Sequence, residues 1–192
     1  MAVPIHGPLH GVKVLELGTL IAAPFASRLF AEFGAEVIKV EDPRTGDPIR
    51  NWRYLHDGTS LWWYVQSRNK KSIALNLKDP RAQEIARRLA LEADIVVENY
   101  RPGVLEKWGL GNEQLRAANP ATVMVRISGY GQTGPMRDRP GFGAIAESMG
   151  GIRFVTGYPD RPPIRIGISI GDSIAALHAV VGALMALRHR DS

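Results

Sequence analysis

The stretch "VKVLELGTLIAAPFASRLFAEFGAEVIKVE", residues 12–41, decides the fold. Residues 12–17 are rich in β-branched and aliphatic side chains, as is typical of a buried strand, and residues 36–41 form a second such run. Between them, Pro24 stands where a helix would begin and Gly34 where it would end. A strand, a helix and a second strand joined by short loops predict a βαβ unit with parallel strands.

The same alternation continues along the chain. Residues 72–77 ("SIALNL"), 94–99 ("DIVVEN") and 122–128 ("TVMVRIS") are typical of further strands. After the first of these, Asp79 can cap a helix whose first position is taken by Pro80. Strands that alternate with helices predict an α/β fold with a doubly wound, mostly parallel, Rossmann-like sheet.

A long helix is expected near the end of the chain, from Ser173 to about Arg190. We expect it to be mostly buried, because its large apolar residues fall on one stripe. That stripe consists of Ile174, Leu177, Val181, Leu184 and Met185.

Asp172 is the one acid of the segment "GISIGDSIAAL", residues 167–177. It can be the N-cap of the last helix, in which case its role is structural. The amide groups and dipole of that helix would also lower the pKa of Asp172 and keep it ionised. An ionised carboxylate can attack a thioester, and nearby amide groups could stabilise the resulting oxyanion. The residues alone leave both roles open.

The composition excludes several kinds of site. The chain of 192 residues has no cysteine, which excludes disulfides, thiolate catalysis and thiolate metal ligands, and its histidines show no metal-binding spacing. The formal net charge of +5 suits an anionic partner, but Lys and Arg are too scattered to predict a nucleic-acid interface. No uninterrupted apolar run reaches about 18 residues and no signal peptide is evident, so we expect a cytoplasmic protein without a membrane segment.

The first strand-to-helix loop argues against a nucleotide cofactor. It reads "LGTLIAAP", residues 17–24, and holds one glycine. A dinucleotide-binding loop needs G-x-G-x-x-G so that the backbone can approach the pyrophosphate. The P-loop pattern is also absent from the sequence.

Five stretches in this order resemble the family III CoA-transferases, which include formyl-CoA, carnitine and succinyl-CoA-dependent transferases. They are "APFASRLFAEFGAEVIKVE" (23–41), "RNKKSIALNLKDP" (68–80), "ADIVVENYRPGVLEKWGLG" (93–111), "ISGYGQTGP…RPGF" (127–142) and "GISIGDSIAAL" (167–177). The resemblance runs from about residue 8 to residue 190. It implies that residues 1–192 are the N-terminal portion of the large domain of such an enzyme.

Chains of that family continue into a smaller domain and a C-terminal return to the large domain, and two of them interlock as a homodimer. The resemblance therefore implies that this chain is a truncated product, a fragment or half of a split enzyme. We expect it to associate with a second copy or a second polypeptide, or to be inactive alone.

The resemblance also implies a reaction, in which acyl-CoA and a carboxylic acid are the substrates. Asp172 matches the family nucleophile, which attacks the donor thioester, forms a mixed anhydride and then an aspartyl-CoA thioester that the acceptor acid resolves. The stretches "RNKKSIALNLKDP" and "VENYRPG" look most like members that use succinyl-CoA and dicarboxylic acids. The residues that match the CoA-contacting segments of the family are Ile21, Ala22, Leu75, Asn76, Leu77, Lys78, Asn99, Tyr100, Arg101, Lys107, Pro140, Gly141, Phe142 and Gly143.

Three of these residues are cations that suit the phosphates of CoA. Lys78 and Arg101 follow predicted strands, so both would lie at the carboxyl ends where open α/β sheets bind ligands, and Lys107 follows shortly after.

Two alternatives to CoA transfer stay open. A related activity, α-methylacyl-CoA racemisation, uses a histidine at the position of Phe142, and a phenyl ring cannot exchange a proton. The other alternative is a non-catalytic CoA-binding fragment in which Asp172 is only a helix cap. The family motif G-F/Y-D ends in an acid, whereas this chain has Gly143 at that position.

Overall fold

A computed structural model describes residues 7–192 of the chain. The first three elements are β1 (Lys13–Glu16), α1 (Ala22–Glu32) and β2 (Glu36–Glu41), which confirm the predicted βαβ unit. A 3₁₀ turn (Pro48–Asn51) follows, and then a small antiparallel hairpin and a short helix that the sequence analysis missed. These are β3 (Leu55–His56), β4 (Thr59–Ser60) and α2 (Leu61–Gln66).

The rest of the chain resumes the alternation of strands and helices. The elements are β5 (Lys70–Ala74), α3 (Pro80–Leu91), β6 (Ile95–Glu98), α4 (Val104–Lys107), α5 (Asn112–Ala118), β7 (Val123–Arg126), α6 (Gly143–Met149) and α7 (Ile170–Asp191). Asp79 caps α3 as predicted, since its carboxylate accepts a hydrogen bond from the amide of Arg81 at 2.9 Å. β5 begins and ends earlier than expected, so the segment 75–78 lies beyond the strand.

All strands of the main sheet are parallel, and their order is β5-β2-β1-β6-β7. Successive side chains of a strand lie on opposite faces of the sheet, and in β1 both faces are buried, as Val14 and Leu15 show. Val14 packs in the core under α1 and α7, and Leu15 packs in the core under α3, α4 and α5. The fold is therefore the doubly wound α/β sheet that the sequence predicted.

This sheet has one topological switch point. The chain proceeds from β1 outward to β2 and β5, and then returns to place β6 on the other side of β1. The loops that follow β1 and β6 therefore diverge, and open α/β sheets bind their ligands in the crevice between such loops.

Helix α7 differs from the prediction in its start and in its burial. It begins at Ile170, three residues before the expected start, and its buried residues are Ala176, Ala183 and Leu187. The large apolar stripe is on the exposed side instead, with Met185 66% exposed. Small residues face the sheet because α7 lies close to α1 and β7.

Among the described residues one helix, α7, is long and apolar enough by length and composition to cross a membrane, with a mean hydropathy of 1.7 over 18 residues. The sequence analysis did not single out this helix, because it counted only uninterrupted apolar runs. The packing of α7 against α1 and β7 is that of a helix layer in an α/β fold.

Candidate functional site

A cleft of about 510 Å³ opens at the carboxyl ends of β1, β6 and β7, next to the switch point. Its walls come from the loop after β1 (residues 19–22), the loop after β7 (127–129), the segment 141–146 and the start of α7. Trp52 and Arg53, between the 3₁₀ turn and the hairpin, complete the lining. The cleft is thus where the topology predicts a ligand site.

Asp172 lines this cleft from the first turn of α7. The N-cap residue of the helix is Ser169, so the interpretation of Asp172 as the N-cap was wrong. The Asp172 carboxylate accepts no hydrogen bond and forms no ion pair with any residue of the described range 7–192. It is therefore available to a ligand.

The electrostatic environment of Asp172 is also the reverse of the one expected. Burial raises the pKa of Asp172, while the charge of Arg165 lowers it and the charge of Glu147 raises it again. The net result is a raised pKa, because desolvation outweighs the favourable interactions. The expectation of a lowered pKa was wrong.

Three loops meet around Asp172 at glycines. A Cβ atom at Gly143 would lie 2.8 Å from Asp172 Oδ2, and one at Gly171 would lie 3.0 Å from the carbonyl oxygen of Gly143. Gly129 and Gly141 touch in the same way, since a Cβ on Gly129 would lie 2.5 Å from the Cα of Gly141. These approaches require the absence of side chains. The acid that the family motif carries at position 143 would meet Asp172 here.

An ion pair between a buried acid and an exposed arginine lies beside the cleft. Glu147, on α6, is 1% exposed, and its Oε2 lies 3.3 Å from Nε of Arg165, which lines the cleft. Its other oxygen, Oε1, has no hydrogen-bond partner among the described residues. The sequence analysis missed this pair, because residues 151–165 show no periodicity that could place Arg165 near α6.

Asn99 holds the loop after β1 in shape. Its side chain accepts a hydrogen bond from the amide of Thr19 at 2.9 Å and donates one to the carbonyl oxygen of Thr19 at 2.8 Å. The next residue, Leu20, has a φ of 65°, and its amide donates to Oδ1 of Asp47 at 3.0 Å. Asn99 therefore bridges the two diverging loops of the switch point.

A group of buried charged residues contacts the same loop. Lys39 Nζ lies 2.7 Å from Oε1 of Glu16 and 2.7 Å from Oδ2 of Asp47, and it donates to the carbonyl oxygen of Gly18 at 2.9 Å. Lys70 Nζ lies 2.7 Å from the other oxygen of Glu16. We call these four charged residues, Glu16, Lys39, Asp47 and Lys70, the buried charge cluster.

The pKa shifts of Glu16 and Lys39 favour the ionised forms of these two side chains. Burial would raise the pKa of Glu16, but the charges of Lys39 and Lys70 lower it on balance. Burial would lower the pKa of Lys39, but the charges of Glu16 and Asp47 raise it on balance. Lys70 is the exception, since burial leaves its pKa lowered.

The structure brings part of the predicted site together. The predicted residues that line the cleft with Asp172 are Ile21, Ala22, Asn99, Gly141, Phe142 and Gly143. Pro140 is adjacent to this group and exposed. The predicted residues that do not line the cleft are Leu75, Asn76, Leu77, Lys78, Tyr100, Arg101 and Lys107.

This second group follows β5 and β6 at the same edge of the sheet. Leu77 is buried in the core, and the Tyr100 ring packs edge-on against Trp108 with centroids 5.3 Å apart, so both side chains are engaged in packing. Lys78, Arg101 and Lys107 are exposed cations.

Other cleft residues were not singled out from the sequence. They are Thr19, Leu20, Trp52, Arg53, Ile127, Ser128, Gly129, Ala144, Ala146, Arg165, Ser169, Gly171 and Ala175. Among the described residues, no group of three or more His, Asp or Glu side chains is arranged to hold a metal ion.

Comparison with known proteins identifies the family of the chain. The family described as CoA-transferase family III matches residues 9–192. The chain is 59% identical over 184 residues to the succinyl-CoA–D-citramalate CoA-transferase of Chloroflexus aurantiacus, which covers 95% of this chain and 46% of that protein. It is 46% identical over 186 residues to the beta subunit of the succinyl-CoA–L-malate CoA-transferase of the same organism, covering 96% of this chain and 46% of that subunit.

A solved structure shares the fold. The crystal structure of a CAIB/BAIF family protein from Brucella suis matches with a TM-score of 0.92 and 38% identity, and covers 97% of this chain and 50% of that one. The chain spans about half the length of the curated relatives it matches.

Proposed function

The chain belongs to the family III CoA-transferases, and we propose that it takes part in moving CoA from an acyl-CoA donor to a carboxylic acid through an aspartyl-CoA thioester on Asp172. The observation that carries the proposal is the unpaired carboxylate of Asp172 in a cleft at the switch point of the sheet. A carboxylate without hydrogen bonds is a stronger nucleophile than one that is solvated or paired.

The steps balance without an added reactant. A carboxylate oxygen of Asp172 attacks the donor thioester carbon, the C–S bond breaks, and a mixed anhydride and the CoA thiolate form. The thiolate then attacks the Asp172 carbonyl carbon and the donor acid leaves, which produces the aspartyl thioester. The acceptor acid reverses these two steps, so that Asp172 is regenerated and the acceptor leaves as its CoA thioester.

The surroundings of Asp172 suit these steps. Gly171 and Asp172 lie in the first turn of α7, where amide groups lack intrahelical acceptors, and both residues line the cleft. Such amides can stabilise the oxyanion that forms on the thioester. The positive charge of Arg165 favours the ionised form of Asp172.

The CoA phosphates need cations outside the reaction centre. Lys78, Arg101 and Lys107 are exposed near the carboxyl edge of the sheet, and we assign the phosphates to them. Asn99 acts on the ligand through the loop that it holds, because its amide group is already bonded to Thr19.

For the substrates we propose succinyl-CoA as the donor and a dicarboxylic acid as the acceptor. The support is similarity to relatives whose names contain succinyl-CoA together with D-citramalate or L-malate. We also propose that the chain acts together with a second copy or a second polypeptide, and the support is that one relative is named as the beta subunit of its enzyme. The exposed apolar stripe on α7 is a surface that such a partner could cover.

The test is a transfer assay on the protein together with any polypeptide that co-purifies with it. Succinyl-CoA and isotopically labelled malate or citramalate are mixed with the wild type, with Asp172→Ala and with Asp191→Ala, a control at the other end of α7. We expect labelled acyl-CoA with the wild type and the control and none with Asp172→Ala. Transfer that survives in Asp172→Ala, or exchange of the α-proton without acyl transfer, would overturn the proposal.

A further inference from the structure

Two arginines line the cleft, and they differ in their partners. Arg165 is paired with Glu147 at 3.3 Å. Arg53 forms no hydrogen bond and no ion pair with any residue of the part of the chain that the structure describes. A guanidinium that faces a cleft without a carboxylate partner is available to an anionic ligand.

The backbone at Arg53 is held in an unusual conformation. Its φ is 59°, in the left-handed region that an L-residue adopts at a cost of about 1 kcal/mol or more. Hydrogen bonds fix both neighbours. The carbonyl oxygen of Trp52 accepts from Oγ of Ser60 at 2.6 Å, and that of Tyr54 accepts from the amide of Leu61 at 3.0 Å. The short hairpin thus imposes this conformation on Arg53.

The Arg53 side chain is also oriented by aromatic rings. Its guanidinium carbon lies 4.6 Å from the ring centroid of Trp52 and 5.6 Å from that of Trp62. These two rings pack against each other edge-on at 5.4 Å, and Trp52 lines the cleft. A guanidinium stacked on a ring keeps the N–H groups of its edge available for a planar carboxylate.

We propose that Arg53 binds the distal carboxylate of a dicarboxylic substrate while the other carboxyl group reacts at Asp172. This inference rests on the proposed function and names the residue that selects the substrate class. Donor and acceptor react in turn at the same aspartate, so the succinyl group and the acceptor acid place their distal carboxylates at the same position. One arginine therefore serves both halves of the transfer.

The test compares substrates that differ only in the distal carboxylate. The kcat/KM for succinyl-CoA is measured against that for butyryl-CoA in the wild type, in Arg53→Gln and in Arg53→Gly. A charge-assisted hydrogen bond predicts that the preference for succinyl-CoA, which is the ratio of the two kcat/KM values, falls about ten- to a hundredfold in both variants. Arg53→Gly accepts the positive φ, so its loss of preference would come from the side chain and not from the backbone.

The control is Arg161→Gln, because Arg161 also stacks on a ring, at 5.3 Å from the centroid of Tyr158, but does not line the cleft. It should keep the wild-type preference. An unchanged preference in Arg53→Gln, or an equal loss with both substrates, would overturn the assignment of Arg53.

Binding measurements distinguish a failure of the Arg53 assignment from a failure of the proposed function. If the wild type shows no transfer, the proposed function fails, and the dissociation constants of succinyl-CoA and butyryl-CoA then test Arg53 by calorimetry. The inference predicts that Arg53→Gln weakens the binding of succinyl-CoA only. Equal dissociation constants for the two thioesters in the wild type would contradict it.

Discussion

Asp172 combines two requirements that oppose each other. Burial leaves its carboxylate poorly solvated, which favours nucleophilic attack but raises its pKa. The positive charge of Arg165 lowers the pKa of Asp172 again. Glu147 is paired with Arg165, and its own negative charge raises the pKa of Asp172. The pair therefore acts alongside burial on how much of Asp172 is ionised at a given pH.

The two members of that pair should shift the pH profile in opposite directions. The reactive form of Asp172 is ionised, so transfer should fall as the pH falls through its pKa. Arg165→Gln removes a charge that lowers this pKa, and we expect the acidic limb of kcat to move to higher pH. Glu147→Gln removes a charge that raises it, and the limb should move to lower pH. Rate measurements from acidic to neutral pH check both shifts, and shifts of the same sign would contradict this account.

At the residue scale, the sequence predicted a candidate nucleophile, Asp172, but not the surroundings of that residue. The sequence analysis singled out Asp172 because of the family resemblance and its place at the start of a helix, and the structure places it in the cleft. Its raised pKa could not be predicted, since it depends on Glu147 and Arg165, which reach Asp172 only through the packing of an irregular segment. Arg53 was missed because a positive φ at an arginine leaves no trace in local sequence patterns.

At the scale of elements, the N-terminal ends of α6 and α7 contact each other at glycine residues. Gly143 begins α6, Gly171 lies in the first turn of α7, and Asp172 is placed by their contact. The sequence predicted α7, but it placed the start of this helix three residues late, because "GISIG" has poor helix formers. Tertiary contact with Gly143 compensates for that low propensity.

Gly143→Ala should therefore damage the reaction more than the fold. The new methyl group would lie 2.8 Å from Oδ2 of Asp172 and displace the carboxylate. We expect kcat to fall by about tenfold to a hundredfold, since small displacements at reacting groups have effects of that order. Thermal unfolding should change little, because alanine suits the first turn of a helix.

Gly182→Ala provides the matched control. A Cβ at Gly182 meets no atom within 4 Å, so this variant of α7 should keep full activity and be more stable by about 0.5–1 kcal/mol. Full activity in Gly143→Ala would show that the glycine contact does not position Asp172.

At the scale of the whole molecule, the buried charge cluster connects β1, β2 and β5 with the loop that begins the cleft. The sequence predicted the order of strands and helices well, because their apolar periodicity is local. It did not predict the buried charge cluster, since Lys39 stands in a strand where a surface-facing lysine is the usual expectation. A charge inside a parallel sheet is stable only with partners from other strands, and such partners are not visible in the local sequence.

Lys39→Met should destabilise the whole fold. In this variant Glu16 keeps one cationic partner, Lys70, whereas Asp47 loses its cationic partner in the buried charge cluster. Both carboxylates remain buried. Breaking a buried pair in this way reduces the free energy of unfolding by about 3–5 kcal/mol. Urea denaturation measures the change.

Lys71→Met is the control for that measurement. Lys71 pairs with Glu36 at 3.0 Å, but both side chains are exposed, so the loss should be at most about 1 kcal/mol. If Lys39→Met and Lys71→Met reduced the free energy of unfolding by similar amounts, the contribution of the buried charge cluster to stability would not come from its burial.

The most direct test of the account is to stop the reaction with succinyl-CoA in the absence of an acceptor and to map the modified peptide by mass spectrometry. The account predicts one CoA attached through a thioester to Asp172, absent from Asp172→Asn and released by a dicarboxylic acid. A wild-type protein that turns over succinyl-CoA while Asp172 stays unmodified, or that carries CoA on another side chain, would contradict it.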